Sequence, residues 1–316
     1  MDQVKHFIAG EYRESSLGRT FDNINPCNGE KIGGVHEGGE EEINAAVTAA
    51  REALNGEWAR MPSQQRTDVL HAVADGIDKR FDAFLEAECL DTGKPYSIAS
   101  HIDIPRGAAN FRVFADAVRN VPTEAFHMET PDGTGAYNLA VRKPKGVIGV
   151  ISPWNLPLLL MTWKVGPALA CGNTVVVKPS EETPTTTALL GEVMNEAGVP
   201  AGVYNVVHGF GGDSAGAFLT EHPDVDGFTF TGETTTGEVI MKSASRGIRD
   251  ISLELGGKNA GLVFADCDMD KAIEGTMRSA FANCGQVCLG TERVYVERAT
   301  RTGARAEVTV YGEVRP

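Results

Sequence analysis

The sequence predicts an α/β fold with a doubly wound parallel sheet, and three observations lead to this fold class. From about residue 147 onward, short runs of β-branched residues alternate with segments of helical spacing. The predicted strands are almost wholly apolar, as parallel strands buried on both faces are. The 316 residues, 42% of them hydrophobic, are enough for one large domain or two medium ones. In such sheets a ligand binds beyond the carboxyl ends of the strands.

The first forty residues are rich in turn residues and are predicted to form edge strands, with a hairpin over 7–12. Apolar residues at helical spacing then predict three helices, over about 41–54, 65–90 and 97–120. Gly93-Lys94-Pro95 ends the second helix, and Pro105 indicates a start or a kink within the third.

Strands and helices alternate through the rest of the predicted sheet. The buried strands are expected over 147–151, 174–177, 203–207, 227–230 and 251–253. The helices are expected near 157–170, 184–197, 213–221 and 235–245. The polar residues just after each strand are therefore the candidates for a binding site.

Charge and composition exclude several functions. The formal net charge of −14, with scattered Lys and Arg, argues against a nucleic acid or an anionic membrane as partner and favours a small molecule. The N-terminus has no signal-peptide pattern, and no apolar run approaches the ~18 residues of a membrane span. We therefore expect a cytoplasmic protein with six reduced cysteines. No metal site is expected, because the Cys284/Cys288 pair has no second Cys/His cluster.

Two strand ends carry polar residues suited to chemistry. Asn155, held between two prolines after the first strand, could donate a hydrogen bond to a developing oxyanion, or it is simply a turn residue. Lys178 and Glu181 could hold the hydroxyls of an adenosine ribose, and the carboxylate would repel a 2′-phosphate, which favours NAD over NADP. The alternative is an ordinary surface ion pair.

Two glycine-containing turns follow strands and open helices. They are 209–212 with Gly216, and 230–232 with Gly237. Bare backbone N–H groups at such turns favour a pyrophosphate, although neither turn matches the usual dinucleotide fingerprint and glycine turns are common in α/β proteins.

Glu254 and Cys288 complete the candidate set. A carboxylate at the end of an apolar strand suits a general base if its pKa is raised, the alternative being an ion pair with Lys258. Cys288 lies in a glycine-flanked loop that substrate could reach, and a thiol is a good nucleophile. Cys284, at the end of the preceding helix, is expected to be a packing residue.

Five motifs, in this order and spacing, resemble the aldehyde dehydrogenase superfamily. They are Pro153-Trp154-Asn155, Lys178-Pro179-Ser180-Glu181, Phe230-Thr231-Gly232, Glu254-Leu255-Gly256-Gly257-Lys258 and Gly285-Gln286-Val287-Cys288. The resemblance runs from about Phe7 to about Arg298. Residues 103–111 and 230–234 look like the branch that oxidises 2-hydroxymuconic and 2-aminomuconic semialdehydes, and Glu233, where many members have Ser, is a mark of that branch.

The resemblance implies a covalent mechanism with NAD as cofactor. Cys288 would attack the aldehyde, Asn155 and the Cys288 backbone N–H would hold the oxyanion, and Glu254 would activate the water that hydrolyses the thioester. Arg106 would bind the substrate carboxylate, its alternative being a surface ion pair. The implied cofactor-binding residues are Ser152, Pro153, Trp154, Lys178, Ser180, Glu181, Gly211, Gly216, Phe230, Thr231, Gly232, Glu233 and Leu255.

The resemblance also divides the chain. Residues 1–255 would form a helical region and an NAD-binding domain, with a protruding oligomerisation hairpin over about 122–146. Residues 256–298 would begin the catalytic domain and hold the nucleophile loop, and 299–316 form a tail that we cannot align. Family members continue well past the nucleophile and are usually homo-oligomeric through a C-terminal strand that is missing here. We therefore expect a C-terminally truncated chain, and carry as alternatives a non-catalytic fragment with weak dinucleotide binding and a Cys288-dependent hydrolase.

Overall fold

The computed structural model describes residues 3–298, which fall into two compact units that divide between Leu253 and Glu254. The first unit begins with five short strands. They are β1 (Gln3–Val4), β2 (His6–Ile8), β3 (Glu11–Arg13), β4 (Thr20–Ile24) and β5 (Lys31–His36). β5 pairs in parallel with β1 and antiparallel with β4 in a three-stranded sheet. β2 and β3 form the predicted hairpin.

A largely helical segment follows. It contains α1 (Glu40–Asn55), α2 (Glu57–Arg60), α3 (Ser63–Lys79), α4 (Phe81–Thr92), α5 (Tyr96–Ile98), a π-helical turn (Ala99–Asp103) and α6 (Ile104–Arg119). Pro105 lies at the start of α6, directly after the π-helical turn, which agrees with the start or kink predicted at this residue.

The prediction of one helix over 65–90 is wrong, because the chain breaks at Arg80. Arg80 has φ −105° and ψ 25°, outside helical values, and separates α3 from α4. Its guanidinium pairs with the carboxylate of Glu196, 116 residues further on. Hydrophobic spacing continues through the break, so a local pattern could not reveal it.

The main sheet is built from the predicted alternation. Its elements are β8 (Val147–Ile151), α7 (Pro157–Ala170), β9 (Thr174–Lys178), α8 (Thr185–Glu196), β10 (Tyr204–Val206), α9 (Ala215–Glu221), β11 (Gly227–Gly232), α10 (Thr234–Ala244) and β12 (Asp250–Leu255). Before it, β6 (Ala125–Met128) and β7 (Ala136–Leu139) form a separate antiparallel hairpin within 122–146.

The strand order is β12-β11-β8-β9-β10-β2-β3. β11, β8, β9 and β10 are mutually parallel, which confirms the doubly wound sheet, and the β2–β3 hairpin adds an antiparallel edge. From β8 the chain adds β9 and β10 on one side and then returns to add β11 on the other. This reversal opens a crevice at the carboxyl ends of β8 and β11, the usual ligand position in such sheets.

The burial predicted for the last strand is wrong. Residues 251–253 do form a strand, but β12 alternates between half-buried and exposed residues instead of being buried. β12 is the terminal strand of the sheet, with a hydrogen-bonded neighbour on one side only within the described part of the chain. An apolar run alone does not distinguish a central strand from an edge strand.

The second unit contains three main elements after β12. They are β13 (Ala260–Val263), α11 (Met269–Phe281) and β14 (Arg293–Val296), with a 3₁₀ turn over Ala282–Gly285. β13 and β14 pair in parallel, and the Asp268 carboxylate caps α11 by accepting a hydrogen bond from the Lys271 N–H at 3.3 Å. The tail over 299–316 lies outside the described residues.

Candidate functional site

A cavity of about 700 Å³ lies in the first unit at the carboxyl ends of β8, β9 and β11. This volume is within the range of small-molecule and cofactor sites. It brings together Ser152, Pro153, Trp154, Lys178, Ser180, Glu181, Gly211, Gly216, Phe230, Thr231, Gly232 and Glu233. These are twelve of the thirteen cofactor-binding residues predicted from the sequence. The thirteenth, Leu255, lies on β12 within the second unit and does not line this cavity.

Lys178 and Glu181 form a direct ion pair in the cavity wall. The Lys178 Nζ donates to Glu181 Oε2 at 2.8 Å. Lys178 is only 5% exposed, so the alternative of an ordinary surface pair is wrong. Burial lowers the pKa of the Lys178 ammonium. Burial alone would raise the pKa of the Glu181 carboxyl, but the adjacent ammonium holds that pKa below its ordinary value. The pair can offer a donor and an acceptor to neighbouring hydroxyls.

Two hydroxyl groups in the cavity wall need a partner. Ser152 Oγ and Thr231 Oγ1 are buried and have no hydrogen-bond partner within residues 3–298. Buried polar groups are rarely left unpaired in a folded protein, so such groups mark a place for a polar ligand or water. The wall therefore fits a ligand rich in hydroxyl or phosphate oxygens.

The glycines in the wall leave backbone uncovered. A Cβ at Gly211 would meet nothing within 4 Å, whereas one at Gly216 would lie 2.8 Å from the Gly211 carbonyl oxygen. Gly216 thus permits the close approach of two backbone segments, and Gly211 leaves open space beside the cavity.

Lys242 and Arg246 also line the cavity and were missed from the sequence. Lys242 lies on α10, and Arg246 follows the end of that helix. A spacing of four residues is equally common on a solvated helix face, so the sequence carried no distinct signal for these two cations. With Lys178 they place three cations in the wall, which also contains the carboxylates of Glu181, Glu221 and Glu233, so the wall offers charged groups of both signs to a ligand.

Asn155 and Arg106 occupy different surroundings in the first unit. Asn155 lies half-buried in the turn between β8 and α7, and its carbonyl oxygen accepts a hydrogen bond from Lys94 Nζ at 2.9 Å. Arg106 is exposed on the first turn of α6. No ion pair of Arg106 is present in the described part of the chain, which does not support the surface-ion-pair alternative.

Cys288 lies in the second unit, in the loop between the 3₁₀ turn and β14. It is half-buried, and the Asn259 side chain donates hydrogen bonds to the carbonyl oxygens of Cys288 at 2.6 Å and Gly290 at 3.0 Å. The amide of Asn259 therefore ties the loop to the residue that precedes β13. Cys284, in contrast, is exposed, with φ +59°. Its predicted packing role is wrong, because its side chain is exposed where the chain adopts a left-handed turn.

Glu254 departs from the surroundings expected for it. It lies on β12 as predicted, but its side chain is exposed instead of buried. The alternative ion pair with Lys258 is not formed either, since Lys258 Nζ contacts Glu292 Oε2 at 2.6 Å.

Residues 3–298 contain no group of three or more His, Cys, Asp or Glu side chains that could hold a metal ion. They also contain no helix that is long and apolar enough to cross a membrane.

Several known proteins are similar to this chain in sequence and in fold. The 2-hydroxymuconic semialdehyde dehydrogenase of Pseudomonas sp. (strain CF600) is 72% identical over 318 residues, covering 99% of this chain and 65% of the relative. The 2-aminomuconic 6-semialdehyde dehydrogenase of Pseudomonas sp. is 55% identical over 94% of this chain and 60% of its own length. The NAD⁺ complex of an aldehyde dehydrogenase from Bacillus cereus superposes with a TM-score of 0.92 at 37% identity, covering 99% of this chain and 63% of that one.

These comparisons also fix the extent of the likeness. The chain spans 60% to 65% of the length of the relatives named above. The family model described as "Aldehyde dehydrogenase family" matches residues 12–310, which extends past Arg298 into the segment that we could not align. With most of its length matched by that model, the chain belongs to the aldehyde dehydrogenase family.

Proposed function

We propose that this protein oxidises an aldehyde to a carboxylic acid with a nicotinamide dinucleotide, and that it prefers NAD to NADP. The observation that carries the proposal is the cavity at the sheet reversal, with the Lys178–Glu181 pair in its wall. Lys178 and Glu181 would hold the adenosine ribose, and the Glu181 carboxylate would repel a 2′-phosphate. Gly211, Gly216 and the turn at Gly232 would lie near the phosphates. When bound, the dinucleotide supplies the acceptor for a hydride.

We propose roles for the reacting residues that membership in the family supports. The Cys288 thiol loses its proton to solvent, and its Sγ then forms a bond to the aldehyde carbon as the C=O π electrons move onto the oxygen. The resulting thiohemiacetal oxyanion would be held by the Asn155 amide and the Cys288 backbone N–H. Loss of hydride from that carbon leaves a thioester. Glu254 takes a proton from water, the water oxygen attacks the thioester carbon, and the carboxylic acid and free thiol are released. The predicted contact of Leu255 with the cofactor stays a prediction, because Leu255 does not line the cavity.

A muconic semialdehyde is the substrate that we propose. The relatives named as 2-hydroxymuconic and 2-aminomuconic dehydrogenases share 72% and 55% of their aligned residues with this chain. Such substrates carry a carboxylate, and Arg106 offers an exposed guanidinium able to bind it in a bidentate manner. Arg106→Ala should lower kcat/KM for a muconic semialdehyde relative to an aliphatic aldehyde. An unchanged ratio would exclude this role.

NADH formation with 2-hydroxymuconic semialdehyde tests the reaction. Turnover should be lost in Cys288→Ala and retained in Cys284→Ala, because both residues are cysteines of one short loop region and only the first is the proposed nucleophile. Turnover that needs no NAD would instead identify a Cys288-dependent hydrolase. Turnover that survives in Cys288→Ala would refute the covalent mechanism.

Dinucleotide binding without turnover is the second candidate function. It is favoured by one observation, that every residue lining the cavity belongs to the first unit. A rise of Tm with NAD, without NADH formation from any aldehyde, would support this candidate against the first.

Assembly and location complete the proposal. We propose that the β6–β7 hairpin contributes to a homo-oligomer, because Phe126, Tyr137 and Leu139 are large apolar residues with at least 62% exposure. We also propose a cytoplasmic location, since all six cysteines are unpaired, as is usual in a reducing compartment. Light scattering tests the proposed oligomer by comparing the molar mass of the wild-type chain with that of a variant in which Tyr137 and Leu139 are changed to Ser. The variant should have the smaller mass.

A further inference from the structure

A buried cluster of charged side chains lies next to the Asn155 turn. Lys94 is 5% exposed, and Glu88 and Asp103 are fully buried. The Lys94 Nζ donates to Asp103 Oδ2 at 2.7 Å and lies 3.7 Å from Glu88 Oε1. Glu88 comes from α4 and Asp103 from the π-helical turn, so three separate segments meet at one ammonium.

The cluster contacts the turn that carries Asn155 at two backbone atoms. Lys94 Nζ donates to the Asn155 carbonyl oxygen at 2.9 Å, and Glu88 Oε2 accepts from the Leu158 N–H at 3.3 Å. The first contact lies before α7 and the second within its first turn. Together they hold both ends of the segment from 155 to 158, although Lys94 and Asn155 are 61 residues apart in sequence.

Packing alone does not explain the charges. A buried ion cluster is often no more stabilising than apolar residues of similar volume, because taking charges out of water is costly. Burial is the main cause that raises the pKa of Glu88 to about 8, with Lys94 opposing it. Glu88 Oε1 and Asp103 Oδ1 also lack hydrogen-bond partners within the described residues. The hydrogen bond that Lys94 Nζ donates to the Asn155 carbonyl oxygen is a directional contact that an apolar side chain could not supply.

We propose that Lys94 is a positioning residue, which orients the proposed oxyanion donor Asn155 through its backbone carbonyl. The proposal rests on the proposed function, since it assigns Lys94 to the support of that same site. A misplaced donor loses much of its effect, because a preorganised group must meet the developing charge within a few tenths of an ångström. Lys94 acts through Asn155 and contacts neither substrate nor cofactor.

A double-mutant cycle on the full chain tests this positioning role. Lys94→Met keeps the apolar stem and removes the ammonium. We expect kcat for NADH formation to fall by about tenfold or more, against about 10²- to 10³-fold for Asn155→Ala. In the Asn155→Ala background, Lys94→Met should have little further effect on kcat, because the group that it orients is already gone. The KM for NAD should change less than about threefold in Lys94→Met.

Two further variants separate positioning from folding. Lys94→Met/Asp103→Asn removes the ammonium together with the carboxylate that it contacts at 2.7 Å. The remaining Glu88 has a pKa raised to about 8, so it can stay protonated at neutral pH, and the double variant should show the same loss of kcat. Lys145→Met is the matched control, because Lys145 is a half-exposed lysine paired with Asp250 in the same unit. It should retain wild-type kcat.

Each outcome decides the question. Loss of kcat that disappears in the Asn155→Ala background supports the positioning role. If Lys94→Met and the double variant retain kcat, or if their losses multiply with that of Asn155→Ala, Lys94 does not act through Asn155 and the inference is overturned while the proposed function stands. If wild-type turnover does not depend on Cys288, the proposed function fails first and the inference falls with it.

Discussion

His6 should make the stability of this protein depend on pH. Its side chain lies on β2 and is fully buried, and Nδ1 accepts a hydrogen bond from the His208 backbone N–H at 3.1 Å. The ring also stacks on the His208 ring, with centroids 5.9 Å apart. Burial lowers the pKa of His6 from 6.5 to about 4, the nearby Glu42 carboxylate opposes this shift, and His36 adds to it. The fold therefore accommodates the neutral ring.

The sign of the effect follows from which state takes up the proton first. The unfolded chain binds a proton at the ordinary pKa of 6.5, while the folded chain resists protonation until about 4. The stabilisation from neutral His6 is complete above 6.5 and is lost as the pH falls towards 4. Between about pH 7.5 and 5.5 these pKa values correspond to a loss of about 1 kcal/mol in the free energy of unfolding.

Urea unfolding of wild type and His6→Asn at both pH values measures this contribution. Asn keeps an acceptor near the position of Nδ1 but does not titrate. Between about pH 7.5 and 5.5 the His6→Asn variant should therefore lose about 1 kcal/mol less free energy of unfolding than the wild type. His101→Asn makes the same change at an exposed position and should behave as wild type. The lower pH stays above the pI of about 5.0, where low net charge promotes association. Equal pH dependence in all three proteins would refute the reasoning.

Three further predictions concern the cavity and a strained loop. Gly216→Ala should lower the free energy of unfolding, measured with urea, by about 1–3 kcal/mol, because the new Cβ would lie 2.8 Å from the Gly211 carbonyl oxygen. Gly211→Ala is the control, since its Cβ would meet nothing within 4 Å, and it should leave the free energy of unfolding nearly unchanged. Equal effects of the two substitutions would contradict this reasoning. Glu181→Gln should reduce the ratio of the NADP Kd to the NAD Kd, measured by calorimetry, by about tenfold, because it removes the negative charge proposed to repel the 2′-phosphate of NADP. An unaltered ratio would exclude that role of Glu181. Ile248→Asn should raise the free energy of unfolding by about 1 kcal/mol, because Ile248 is 93% exposed at φ +53°, a conformation that Asn tolerates better; no gain would show that the turn is not strained.

The strand-end residues were the part of the candidate site most open to prediction. Lys178, Glu181 and Thr231 are far apart in sequence, yet the carboxyl ends of parallel strands share one edge of the sheet, so alternation alone places them together. Lys242 and Arg246 were missed because a helix face beside the crevice carries no pattern distinct from a solvated face.

Surroundings that depend on distant segments could not be predicted. Arg80, at the break between α3 and α4, pairs with a carboxylate 116 residues away, and the contact between Lys94 and Asn155 joins segments 61 residues apart. Glu254 was expected to be buried, but an apolar run does not tell whether its strand lies at the centre or the end of a sheet. Cys284 was expected to pack, but the chain there adopts a left-handed turn.

By itself, the sequence determined the α/β class, the order of strands and helices, and which side chains lie at the strand ends. Those features follow from local periodicity and from the common geometry of parallel sheets. Only the tertiary structure decided which of these groups are buried and which carboxylates form ion pairs. It also decided that Lys94, which follows α4, donates a hydrogen bond to the carbonyl oxygen of Asn155. Burial and long-range hydrogen bonds are set by segments that meet only when the chain has folded, so no local pattern encodes them.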